Sequence, residues 1–215
     1  MPPLGIDLDT HAWFEAQRTD WLDARMLDVT AAGSIGLLTL VSLFTIGLLL
    51  ALRYYRTAGF VVGAVLIGLL VSNTTKDIVG RARPARSFWL MQRHLLVADP
   101  DRPDEWRALS SPLREEGPSF PSGHSLNSSV VYLTLALLVT PLLPRRNARG
   151  FVIGAALVLV LLIGISRLYL GVHWLTDVLA GWAFGLTWAV LCRLLEKKWI
   201  LRRGKPSVQP PDLGS

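Results

Sequence analysis

The chain has 215 residues, 51% of them hydrophobic, with a mean hydropathy of +0.41 and 18% charged side chains. Average soluble domains carry roughly 25% charged residues, so this composition excludes a disordered chain and an ordinary soluble domain. The net charge is +6, but the basic residues are clustered, and the length suits one domain. One cysteine, Cys192, excludes an internal disulfide framework and a cysteine-cluster metal site, and its apolar surroundings suit inert packing.

Residues 1–32 hold six acidic and two basic side chains and no continuous apolar stretch. Trp13, Phe14, Trp21 and Leu22 would form one face of a helix lying along the membrane surface. The alternative is a loosely ordered tail. The start lacks the basic flank and apolar core of a signal peptide.

Crossing a bilayer takes about 20 apolar residues at 1.5 Å rise. Residues 33–52, 58–75, 125–143 and 151–165 are uncharged runs of that kind, and residues 174–192 form a fifth whose single charge is Asp177. These runs predict an all-α, polytopic bundle of five spans, residues 33–204, with a surface segment before it and a disordered proline-rich tail at 205–215. Arg53 and Arg56, then Arg145, Arg146 and Arg149, then Arg193, Lys197, Lys198, Arg202, Arg203 and Lys205 occupy alternate connections, which places those segments in the cytoplasm. The N-terminus, residues 76–124 and the turn at 166–173 then lie outside. Loop 76–124 is also basic, which orientation does not explain and a ligand would. Within it, residues 87–97 fit a short interfacial helix, and Trp174 and Trp199 fit aromatic-belt positions.

Three clusters fall at span ends on this outer side. The first runs Lys76-Asp-Ile-Val-Gly-Arg-Ala-Arg83-Pro84, and a continuing helix would put Lys76 and Arg83 on one face before Pro84 ends it. Two cations there suit either anion binding or snorkelling anchors. The second is Pro121-Ser122-Gly123-His124, at the start of the third span. Ser122 suits an N-cap, Gly123 lets backbone approach a ligand, and a helix N-terminus attracts phosphate. His124 reads either as a proton donor or as an ordinary interfacial histidine. The third is Ser166-Arg167, then His173 and Asp177, four residues apart and stacked on one helical face. The carboxylate would fix the imidazole tautomer and leave its other nitrogen free to attack. An aspartate inside an apolar helix costs roughly 2.5–3.5 kcal/mol on insertion scales, which calls for a partner and a function. Gly181 and Gly185 continue the face as a close-packing stripe, so a bulky residue at Gly181 is expected to impair activity without touching the site.

Taken in order, K-x6-RP, PSGH and SR-x5-H-x3-D resemble the signature of the type 2 phosphatidic acid phosphatase (PAP2) superfamily, related in its core to vanadium haloperoxidases. The match runs from Lys76 to Asp177 with every motif position filled. The resemblance implies a metal-free phosphatase with no cofactor. His173 would be the nucleophile that becomes phosphohistidine, Asp177 its orienting partner, and His124 the general acid and then base. Lys76, Arg83, Ser122, Gly123 and Arg167 would bind phosphate oxygens. Many relatives have six spans, so the first would be missing here or replaced by the surface segment.

The expected activity is hydrolysis of a lipid phosphate or diphosphate on the outer face of a bacterial inner membrane. Undecaprenyl diphosphate is the first candidate, followed by phosphatidylglycerophosphate, phosphatidic acid and lipid A phosphates. A phosphotransferase passing the phosphoryl group to a lipid hydroxyl is the second class, and a non-catalytic anion-binding transporter the third. Expected partners are the lipid substrate and membrane lipids. Nucleic acid is not one, because the cations surround membrane spans rather than one solvent face. The pattern leaves the oligomeric state open.

Overall fold

The computed structural model describes residues 2–84 and 118–202. The segment 87–97, expected as an interfacial helix, and the tail 205–215 lie outside the described residues, as do the side chains of Lys76 and Asp77. Seven helices account for most of the rest: α1 (Gly5–Ala16), α2 (Asp20–Ala31), α3 (Ile35–Ala51), α4 (Tyr55–Val79), α5 (Gly123–Leu142), α6 (Arg146–Tyr169) and α7 (Leu175–Arg202).

Four of them, α4 to α7, are long and apolar enough to cross a membrane, and the α2–α3 pair, bent by 44°, makes a fifth candidate if its two helices count as one span. The protein is a multi-pass membrane protein. Its outer surface is apolar, with Phe44, Leu66 and Phe151 among the exposed side chains, as lipid-facing helices require. The exception is α5, 78% of which is buried, against 28–39% of the other spanning windows. It is the central helix around which the others stand.

Small residues let α7 close against α5. A Cβ on Gly185 would lie 2.1 Å from the Ser129 Cβ, and one on Gly181 would lie 2.9 Å from the Leu126 nitrogen. At that contact α5 loosens into a π turn over Ser129–Leu133, and the Ser129 hydroxyl donates back to the Ser125 carbonyl at 2.7 Å. Two indoles of α7 dock on glycines of its neighbours: Trp182 covers Gly164 and Trp188 covers Gly68. Each also donates its ring N–H, to the Val160 and Ala64 carbonyls respectively. The expected stripe is therefore a real interface. However, a Cβ on Gly181 would also come within 3.2 Å of the Ser122 carbonyl, so bulk there reaches a motif loop directly.

Residues 1–32 are neither a loose tail nor a helix presenting four aromatic and aliphatic side chains to lipid. Thr19 caps α2 by accepting from the Leu22 amide, and Asp20 and Asp23 complement its positive end. Phe14 and Leu22 pack on Tyr169, Leu170 and Val172, while Trp13 and Trp21 remain exposed. The Tyr169 hydroxyl accepts from the Thr19 amide at 3.1 Å and donates to Asp23 at 2.7 Å. Helices α1 and α2 thus cover the α6–α7 turn. The bend before α3 falls at Gly33, where a Cβ would strike Ile163 at 2.7 Å and His124 at 3.0 Å.

Candidate active site

The three motif clusters meet at one end of the bundle, where α4 and α6 finish and α5 and α7 begin. Each arrives through a sharp chain reversal. Helix α4 stops at Val79 because Gly80 takes the left-handed conformation (φ 56°), four residues sooner than Pro84 alone would dictate. Arg83 therefore leaves the helix and does not share a helical face with Lys76. Gly171 (φ 64°) reverses the chain after α6. Trp174 then occupies the position before α7, so His173 stands in the turn, and His173 and Asp177 are not two positions of one helix.

The histidine and aspartate still face one another. Asp177 is the third residue of α7, and its Oδ2 reaches back to accept the Trp174 amide at 2.9 Å, half of a capping box. The same oxygen lies 3.6 Å from His173 Nδ1. On the other side of the ring, Arg83 Nη1 is 3.1 Å from His173 Nε2 and also donates to the Val172 carbonyl at 3.1 Å. A guanidinium only donates, so Nε2 acts as an acceptor and the ring proton belongs on Nδ1, toward Asp177. The expected free nitrogen is thus already held by an arginine. Both His173 and Asp177 are buried.

The PSGH loop is tied to the same turn. The Ser122 amide donates to the Asp177 carbonyl at 3.1 Å, joining the starts of α5 and α7. Ser122 occupies the N-cap position, but its hydroxyl accepts from Ser125 Oγ rather than from a backbone amide. Gly123 opens α5, whose first-turn amides have no intrahelical acceptor. His124 follows, partly exposed, with its ring against Gly33. Arg167, in the last turn of α6, is buried and donates to Thr30 Oγ1 at 2.9 Å. Lys76 is in the last turn of α4 by its backbone.

Two participants carry no local signal in the sequence. Arg81, between the named positions Lys76 and Arg83 of the first motif, is 3% exposed and reaches Asp177 Oδ1 at 2.5 Å. Asp7 of α1 is fully buried and takes the other side of the same guanidinium at 2.7 Å. Burial opposes ionisation of Asp7, but amide bonds from Thr176 and Leu4, with Arg81 and the Thr176 hydroxyl, hold its carboxyl below the ordinary value. Trp174 is also not the belt residue its sequence position suggests: it is buried and donates Nε1 to the Ala82 carbonyl at 3.0 Å. Among the described residues, no three His, Cys, Asp or Glu side chains gather as a metal ion would require.

The polar ends of a spanning helix bundle thus bring together a buried histidine with Arg83 on its ring, and an aspartate with Arg81 on its carboxylate. The family follows from comparison with known proteins. The PAP2 superfamily model matches residues 57–201, and the chain belongs to that family of membrane phosphatases. Phosphatidylglycerophosphatase B of Escherichia coli K12 is 30% identical over 187 residues, covering 74% of this chain and 68% of that protein. The protein of the same name from Bacillus subtilis is 39% identical over 89 residues, 40% of this chain and less than half (43%) of its own length. An undecaprenyl-diphosphatase of Sulfolobus acidocaldarius is 40% identical over 67 residues, 31% of this chain and 28% of that protein. Among solved structures, the transmembrane PAP2-type phosphatidylglycerolphosphate phosphatase of Bacillus subtilis superposes with a TM-score of 0.71 at 27% identity, over 94% of this chain and 87% of that one. Aquifex aeolicus LpxE shares the fold, with a TM-score of 0.58 at 19% identity, over 91% of this chain and 96% of that one.

Proposed function

We propose that the protein hydrolyses a lipid phosphate at the outer face of a bacterial inner membrane, through a phosphohistidine on His173. The observation that carries this reading is the pair of contacts on its ring: Asp177 Oδ2 3.6 Å from Nδ1 and Arg83 Nη1 3.1 Å from Nε2. Together they orient the imidazole so that Nε2 faces a cation, the place a phosphate would take. An arriving phosphate dianion draws Arg83 from the nitrogen to its own oxygens and uncovers the nucleophile.

In the first step Nε2 forms a bond to phosphorus as the bond to the lipid oxygen breaks, and protonated His124 gives that oxygen its proton. In the second, His124 takes a proton from water as the water oxygen attacks phosphorus. The P–N bond breaks, and inorganic phosphate leaves. Lys76, Arg83, Arg167, Ser122 and the first-turn amides at Gly123 neutralise the three equatorial oxygens, the main requirement of phosphoryl transfer. Asp177 keeps the proton on Nδ1 and stabilises the ring as it gains charge.

The basic turns at Arg53 and Arg56, at Arg145 to Arg149, and at the end of α7 lie at the opposite end of the helices, which by the positive-inside rule is cytoplasmic. In this reading residues 1–32 cover the site and residues 33–204 form the catalytic bundle. An apolar cavity of about 340 Å³ lies between α4, α5 and α7, lined among others by Ser72, Leu126, Ala180, Phe184 and Trp188. It begins one turn below Asp177, a suitable place for the lipid chain of an anchored substrate.

Phosphatidylglycerophosphate is the first substrate to test, because the relative covering most of this chain and the TM-score 0.71 structure both carry that name. Undecaprenyl diphosphate, the first candidate from the sequence, is the second reading, favoured by the Sulfolobus acidocaldarius relative. Phosphate release from these two lipids, phosphatidic acid and lipid A phosphate, with His173→Ala as control, tests the proposal. Release from at least one lipid, abolished in the variant, is expected. Release that persists in His173→Ala contradicts it, and release with no oxygen from labelled water points to the phosphotransferase instead.

A further inference from the structure

Arg81 differs from the arginines assigned to phosphate. Its Nη1 donates to Asp177 Oδ1 at 2.5 Å and to Thr176 Oγ1 at 2.7 Å. Its Nη2 donates to Asp7 Oδ2 at 2.7 Å and to the Pro2 carbonyl at 3.4 Å. Arg81 is 3% exposed and both carboxylates 0%, so this guanidinium is committed to the protein.

A buried aspartate paired one-to-one with an arginine is a neutral unit. Such a unit would leave His173 with little negative charge to face, although Asp177 is the carboxylate its ring depends on. The second carboxylate removes that difficulty. With Asp7 bound to the far side of Arg81, the cluster carries one net negative charge, and the Asp177 oxygen nearer His173 is not the one Arg81 holds. Asp7 is itself anchored by the Thr176 amide and hydroxyl, each 2.9 Å from Oδ1, and by the Leu4 amide at 2.9 Å. These bonds attach α1 to the start of α7.

We propose that Asp7 is a positioning residue for the reaction: by neutralising Arg81 it leaves the charge of Asp177 available to His173, so the N-terminal helix completes the catalytic pair. This inference rests on His173 being the nucleophile. Among the described side chains, other charges around the pair are Arg83 on Nε2, His124 at the start of α5, Arg167 at the end of α6, and His11 with Glu15 on α1, the His11 ring standing edge-on to Trp174 at 5.6 Å. Arg18, Asp23 and Tyr169 form a separate group on the far side of the turn. All keep their identity in the variants below, so differences between variants report Asp7 and Arg81.

The test uses the full chain in detergent, with phosphate release from phosphatidylglycerophosphate, or from whichever lipid phosphate of the panel is cleaved, followed across pH. Wild type and His173→Ala are measured first. A wild type without activity, or an active His173→Ala, overturns the functional reading itself and with it this inference. Given an active wild type, Asp7→Asn is expected to lower kcat at least tenfold with KM within twofold. It moves the acid limb of kcat/KM about one pH unit lower, because the imidazole sheds its proton more easily beside a neutral cluster. Arg81→Gln moves that limb the opposite way, and the double variant Asp7→Asn/Arg81→Gln returns it toward the wild-type position. A merely structural role predicts no such opposition. A limb unmoved by Asp7→Asn, or displaced in the same direction by both single variants, overturns the inference. Should Asp7→Asn fail to fold, Arg81→Gln is compared with the double variant: an upward shift in the first that adding Asp7→Asn reverses supports the proposal, and any other result refutes it.

Discussion

Gly181 offers the sharpest test of how the bundle positions the site. An alanine there would place its Cβ 2.9 Å from the Leu126 nitrogen, 3.0 Å from the Ser125 Cβ and 3.2 Å from the Ser122 carbonyl oxygen. Ordinary carbon contacts lie at about 3.5–4.0 Å, so the first turn of α5 must retreat by roughly 0.5–1 Å. Overpacking of this kind costs about 1–3 kcal/mol of stability. The catalytic loss is expected to be larger than that suggests, because one of the displaced atoms belongs to the PSGH motif and the other two to the turn that follows it, and Ser122 is bonded to the Asp177 carbonyl. A displacement near 1 Å at a reacting centre is worth up to about 100-fold in rate. Gly181→Ala is therefore expected to lose about 10- to 100-fold in kcat. Gly154→Ala in α6, where a Cβ meets nothing within 4 Å, keeps its rate and gains up to about 1 kcal/mol from helix propensity. Initial rates of phosphate release and thermal unfolding in the same detergent measure both effects. A Gly181→Ala protein with wild-type rate and melting temperature would refute the close contact.

Three further outcomes are expected. Because the Asp7 carboxyl is held below its ordinary value of 3.8, its ionised form stabilises the fold above that pH, and the contribution disappears as pH falls below it. The melting temperature of the wild type should accordingly fall more steeply than that of Asp7→Asn between about pH 5 and pH 3. Ser72→Ala removes the buried hydroxyl that donates to Asn127 Oδ1 at 2.6 Å, and denaturant titration should show a loss of about 1–3 kcal/mol. Arg53 holds a left-handed backbone (φ 62°) in the exposed turn between α3 and α4, so Arg53→Gly should relieve strain of about 1 kcal/mol and raise the melting temperature.

What the sequence made legible follows from the physics of each feature. The spans could be read because a bilayer demands long uncharged runs, and the expected start of α5 at 125 lies two residues from the observed one. The motif residues were legible because histidine, arginine and aspartate stand out at the ends of apolar helices. Chain reversals were less so: Pro84 suggested where α4 ends, but Gly80 ended it first, and the turn after Gly171 released His173 from the helix that carries Asp177. The docking of α1 was invisible for a different reason. Asp7 meets Arg81 across 74 residues and Arg81 meets Asp177 across 96, and no local pattern marks either pairing. Trp174 was misread because a tryptophan near a span end suits the interface equally well whether its ring faces lipid or a carbonyl such as that of Ala82.

In the proposed reaction every turnover passes through one imidazole. Enzyme mixed with a cleaved lipid phosphate, quenched in alkali within the first turnovers and digested for mass spectrometry, should carry phosphate on the His173 peptide. That adduct should be acid-labile, stable to base and absent from His173→Ala. Turnover with an unmodified His173, or phosphate recovered on a different residue, would contradict it.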